Sequence, residues 1–320
     1  MRAPAMILTA VCLLIASASS APCRADQAPP QVMDEVVVTS ERAGPGMWHV
    51  HRGDAHVWIL GSMSPLPKEI TWRSKQVEHI LDSTKEVLVQ KPLDIGIARI
   101  LWLLITERDL LMVTGGKRLK DVMPADQHAR FAVQRAKYTN EANKWEHFRP
   151  LVAAAFLQQA AFHQAGLSTR VDLGAAMRKL AEKHHVSIVE IKIAGVRDLI
   201  GAMKNLPPVT ENACVEASLA TVESGLPRLL DRAQAWADGN VERIEKLPEP
   251  PEVNACRAAL DAGAGAADLI ARIRRTWFDA IEKRLQTPAV TVAVVNIDMM
   301  LEKDGLLDEL RAKGYEVDAP

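Results

Sequence analysis

The stretch His56-Val-Trp-Ile-Leu-Gly-Ser-Met-Ser-Pro-Leu-Pro67 decides the fold of this chain. Val57, Trp58, Ile59 and Leu60 form an unbroken apolar run rich in β-formers, the pattern of a strand covered on both faces. Gly61 ends the run, and Ser62, Met63, Ser64, Pro65 and Pro67 make a loop of small and turn-forming residues. A buried strand that delivers such a loop at its carboxyl end is where α/β folds build sites. Upstream, Trp48 and Val50 alternate with His49 and His51 before Arg52-Gly53-Asp54, so Met47–Leu60 reads as a β-hairpin. His49 and His51 share one strand face because side chains repeat every two residues. Two imidazoles on one face can hold a metal ion, though such a face is more often simply solvated.

Downstream, Glu86-Val-Leu-Val-Gln90 and Val290–Val295 read as further buried strands, Val186-Ser-Ile-Val-Glu190 as another strand, and Tyr315–Asp318 as a short last one. Helical periodicity predicts Lys68–Thr84, Ile95–Val113, Asp121–Tyr138, Trp145–Ala165 closed by Gly166, Asp172–His185, Leu199–Asn205, Ala266–Leu285 and Leu306–Lys313. Glu211–Gly239 is mostly helix with a kink or break at Gly225-Leu-Pro227, and Leu247–Val253 is a loop. The expected fold is therefore α/β: a central mixed sheet flanked by helices, centred on strands near residues 57, 87, 187 and 291. A large helical insert fills the chain between Asp94 and Ile188. Strand-loop-helix occurs twice, at Val57–Leu81 and at Val290–Lys313.

Composition bounds the function. Lys and Arg number 39 against 40 Asp and Glu, a net charge of −1, so nothing points to nucleic acid or an anionic membrane surface. Residues 1–25 have the shape of an export signal: Arg2, a short apolar core over Met6–Ala16, then small residues up to Ala25. That core is shorter than the roughly 20 residues a bilayer span needs. The later apolar run Ile95–Val113 carries Arg99, Glu107, Arg108 and Asp109, which suits a buried or amphipathic helix. Two cysteines, Cys214 and Cys256, follow the leader region, and in an oxidising compartment they are expected to pair. The expected location is periplasmic or secreted. Residues 26–46 read as a linker, and residues 47–320 as one domain. Within the linker, Glu35, Val36, Val37, Val38 and Thr39 resemble a TonB box, a short segment that adds as a strand to a periplasmic partner.

The closing run Val294-Val-Asn-Ile-Asp-Met-Met-Leu-Glu-Lys-Asp-Gly-Leu-Leu-Asp-Glu-Leu-Arg-Ala-Lys-Gly-Tyr-Glu-Val317 resembles the end of the TraB/GumN family, relatives of the Tiki proteases. The opening strand, its Leu-Gly turn, the segment from Gly166 to Glu190 and Trp236-Ala-Asp-Gly239 are similar to other parts of that family. The resemblance implies a hydrolase of the Tiki type. Its chemistry rests on two G-x-x-H motifs, a glutamate after the second strand and an arginine–asparagine pair in the last long helix. In metal-dependent members these groups hold a divalent cation that activates water.

This sequence departs at nearly every one of those positions. The first motif reads Gly61-Ser62-Met63-Ser64, the glutamate position reads Gln90, and the second motif reads Asn296-Ile297-Asp298-Met299. The helix reads Arg272-Ile-Arg-Arg-Thr-Trp277, while Glu190 is retained. A neutral serine hydroxyl is a poor ligand for a divalent cation, Gln offers a neutral oxygen, and Met prefers soft metals. Gly61, Ser62, Ser64, Gln90, Glu190, Asn296, Asp298 and Met299 are thus expected to line a binding cleft that takes no cofactor, with a peptide, glycan or envelope protein as its partner. The alternatives are a metal-dependent hydrolase with altered groups Ser64, Glu190 and Asp298, holding Mn, Co or Zn, and a TonB-linked adaptor. A serine nucleophile at Ser64 would need a histidine base, and none of His49, His51, His56, His79, His184 and His185 is singled out by spacing. Pro65 also biases Ser64 away from a nucleophile-elbow turn.

Overall fold

The structure is a computed structural model that describes residues 44–68, 75–93, 102, 105–141, 143–247 and 250–320. The export-signal region, the TonB-box-like segment and much of the expected helix Ile95–Val113 lie outside the described residues, as do 69–74 of the first expected helix.

Among the described residues, six strands form one mixed sheet. They are β1 (Met47–Arg52), β2 (Ala55–Ser62), β4 (Glu86–Gln90), β6 (Ser187–Ile191), β7 (Ala289–Asn296) and β8 (Glu316–Asp318), in the order β6-β4-β7-β2-β1-β8. β6, β4, β7 and β2 run parallel, whereas β1 is antiparallel to both β2 and β8. The apolar runs sit at the centre because helices flank the sheet there: Val57, Ile59, Leu60, Val87, Leu88, Val89 and Val292–Val295 are all buried. The hairpin closes tightly, Arg52 pairing with Ala55 across Gly53, whose φ of 59° suits glycine. The two strand-loop-helix units are neighbours, β2 and β7 pairing in register from Ala55↔Ala289 to Ser62↔Asn296.

A second core lies in the helical part. Leu119, Met123, Phe131, Ala153, Ala154, Leu157 and Ala161 pack with Val215, Leu219 and Val222. The insert expected over 94–188 is therefore completed by the helix Pro208–Ala220, which follows β6 in sequence. A disulfide joins that helix, at Cys214, to the helix Pro251–Ala262, at Cys256.

Several element boundaries differ from the sequence expectation for identifiable reasons. The helix expected from Trp145 begins at Pro150, where a missing N–H costs nothing; Trp145 itself has a φ of 70° in the preceding turn. The expected loop after Leu247 likewise gives way to helix at Pro251. No break occurs at Gly225-Leu-Pro227. A π-helical turn, Thr221–Gly225, carries the helix from Pro208–Ala220 straight into Leu226–Ala237, and Pro227 falls within the first turn of the latter. A two-residue pairing of β3 (Leu66–Pro67) with β5 (Leu167–Ser168) anchors the loop after β2 to the turn at Gly166, whose φ is 75°. Pairs this short leave no periodic signal.

Candidate functional site

The carboxyl edge of the parallel strands gathers the residues singled out by sequence. Ser62 and Asn296 are register partners on β2 and β7, and Gln90 lies opposite Ile191 on β4 and β6, with Glu190 one step back. Gly61 is buried between Trp48 and Ile297, and its carbonyl accepts a 2.7 Å hydrogen bond from the Trp236 indole Nε1–H. Ser62 is half-buried and Ser64 exposed.

Several polar groups here have a local task. The Asn296 side chain caps the short helix Ile297–Leu301, accepting from the Met299 N–H at 3.1 Å. Met299 is half-buried against the main core. Asp298 forms an ion pair with Arg232, on the helix Leu226–Ala237. Gln90 presents an exposed side chain, while its carbonyl accepts from Arg178 Nη2 at 2.5 Å. Glu190 lies 3.5 Å from Lys91 Nζ and 3.8 Å from Arg178 Nη2.

Sequence reasoning did not single out the cations. Lys91, next to Gln90, and Arg178 lie beside Glu190, and Arg232 pairs with Asp298; the two arginines lie on helices far from the strand-end motifs in sequence. Arg274 is a third: it reaches Glu302 at 3.5 Å, Glu309 at 3.2 Å and the Asp304 carbonyl at 3.4 Å. Burial pushes the Glu302 carboxyl above its usual range; Arg274 and Arg257 pull against this, and Asp261 and Asp298 add to it. An open hollow of about 460 Å³ over the helix Ala264–Arg284 shares Arg274 and Glu309 with this cluster.

The histidines lie elsewhere. His128 pairs with Glu146 and His184 with Asp82, and none donates to or accepts from Ser64 among the described residues. His49, His51 and His56 cluster at the amino end of β2 with Asp318. Burial, then repulsion from His51 and His56, holds His49 below its ordinary imidazole value against the pull of Asp318.

The family model described as TraB/PrgY/gumN matches residues 46–319. The chain belongs to the TraB/PrgY/gumN family. No curated protein and no solved structure gives a significant match. In this TraB/PrgY/gumN member, the residues at the carboxyl edge do not fit a zinc-, manganese- or cobalt-like ion. Hydroxyl, amide and thioether groups stand beside two carboxylates already engaged by arginine or lysine, with no imidazole among them.

Proposed function

We propose that this family member is an exported protein whose carboxyl-edge site has lost metal hydrolysis and serves instead to bind an envelope partner. The partner would be a peptide, a glycan or another envelope protein. The observation that carries this reading is the ion pair of Asp298 with Arg232, with Glu190 in looser contact with Lys91 at 3.5 Å and Arg178 at 3.8 Å. A carboxylate paired with a cation is a poor open ligand for a metal, whereas arginines beside the strand ends suit recognition of polar or acidic groups. The disulfide between Cys214 and Cys256 supports export to an oxidising compartment, and the leader-like residues 1–25 support the same route. A TonB-like protein could add through Glu35–Thr39; losing pull-down on deletion of residues 34–42 would support that link.

The test separates this reading from the hydrolase with altered groups. A His49→Ala/His51→Ala variant, lacking the imidazoles at the far end of β2, is purified without chelator and its metal content measured. The expected result is no stoichiometric metal and no peptide hydrolysis. Stoichiometric Mn, Co or Zn retained by that variant would place an ion at the carboxyl edge and overturn the reading.

A further inference from the structure

The amino end of β2 presents a second constellation of side chains. β1 pairs His51 with His56 and His49 with Trp58 on one side, and His49 with Asp318 and His51 with Glu316 on the other. Because strand side chains alternate, all six point from one face of the sheet. His49 stacks on Trp58 with centroids 4.2 Å apart and on His51 at 4.5 Å, so the imidazoles are packed in place. A single oxygen, Asp318 Oδ2, lies 3.4 Å from His49 Nδ1 and 3.3 Å from His51 Nε2. Among the described residues, these three side chains are the group whose ligand atoms all lie within 4.8 Å of one another.

We propose that His49, His51 and Asp318 bind a borderline divalent transition-metal ion of the zinc type, with His56 as the residue that positions His49. Ligand bonds of about 2.0–2.1 Å in a tetrahedral shell set neighbouring ligand atoms about 3.3–3.4 Å apart, the spacing found from both imidazoles to Asp318 Oδ2. Two imidazole nitrogens and one carboxylate oxygen are a donor set zinc accepts, with a further position left for water or for Glu316, 3.9 Å from His51 Nε2. The remaining nitrogen of His49, Nε2, lies 3.0 Å from His56 Nδ1. With His49 Nε2–H donating to His56 Nδ1, Nδ1 of His49 is the free ligand atom, as an outer partner arranges for a metal-bound histidine. The His49 and His51 side chains are only about one-fifth exposed, while Asp318 is 63% exposed and leaves a way in from solvent.

This site is distinct from the family's strand-end motifs. His56 and Ser62 lie at opposite ends of β2, about 20 Å apart at roughly 3.3 Å per residue. It stands whether or not the carboxyl edge is catalytic.

The test is calorimetric titration of the untagged protein, stripped by chelator, with Zn²⁺, and with Mg²⁺ as control. One Zn²⁺ per chain and no Mg²⁺ heat are expected. His51→Ala and Asp318→Asn, each checked for native circular dichroism, should weaken binding more than about tenfold, and His56→Ala by about tenfold. His56→Gln, which keeps an acceptor for the His49 N–H, should recover most of that loss; failure to recover would remove the positioning role of His56. Absence of Zn²⁺ binding, or binding untouched by both His51→Ala and Asp318→Asn, would overturn the site. Loss of binding on Glu190→Ala or Asp298→Ala would move the ion to the carboxyl edge and would also undo the functional reading above.

Discussion

Gly61 is held by what a side chain there would strike: an added Cβ would lie 3.1 Å from Ile297 Cγ1 and from Trp48 Cζ3. Both neighbours are buried, so they have little room to yield. Gly61→Ala should therefore destabilise the fold by about 1–3 kcal/mol, read from the urea midpoint. Glu146 sets a pH dependence. Burial alone would raise its carboxyl, but hydrogen bonds from Arg135 and His128 outweigh burial and hold it below the ordinary glutamate value. A folded-state value below the unfolded one means that the ionised pair stabilises above the usual glutamate range and loses that contribution as acid protonates it. Glu146→Gln should thus differ most from the wild type at neutral pH, and the gap in urea midpoint should close as pH falls below about 4. The strand-end residues were singled out in the sequence by the resemblance to the TraB/GumN motifs, which sets those positions at the ends of apolar runs. Arg178 and Arg232 were not: each is one charge among many on an amphipathic helix, and only the tertiary fold brings it to a strand end.

At the level of elements, the buried strands announced themselves by continuous apolar runs, and the mixed sheet expected from them is present, with β6, β4, β7 and β2 parallel. The helical part was harder to read. Proline looked like a kink or break at Pro227, yet helix continues through it, and the loop expected over Leu247–Val253 gives way to a new helix at Pro251, because proline is tolerated in a first turn. The pairing of β3 with β5 involves two residues on each side, too few for any period to show. The disulfide links residues 42 apart, fastening the helix Pro208–Ala220 to Pro251–Ala262. On the chain-entropy view, closing a loop of that length is worth at most about 4 kcal/mol. The double variant Cys214→Ser/Cys256→Ser should lose about 2–4 kcal/mol of stability, measured by denaturation under conditions where the wild type stays oxidised.

Across the whole molecule, the main core around the sheet and the second core in the helical part are not separate bodies. One helical run serves both: Val215, Leu219 and Val222 lie in the second core, and Ala233, Ala235 and Trp236 in the first. The expectation of an insert bounded by 94 and 188 missed this because helices with similar composition lie on both sides of β6. Only packing distinguishes those that join the insert from those that cover the sheet.

The π turn at Thr221–Gly225 ends the first of these stretches, with Val222 inside it, and leads into the second. A π turn closes its rings with one more residue than an α-turn, and each residue of a helix advances the facing direction by about 100°. The turn therefore acts as a phase shifter: it lets one continuous helical run show one side to the helical core and a differently rotated side to the sheet. Deleting Ser224 should leave the rod helical but swing Trp236 off the Gly61 carbonyl, seen as a changed tryptophan emission with little change in helical circular dichroism. The hydrogen bond that covers the Gly61 carbonyl thus depends on a counted number of residues in a helical run that begins in another core.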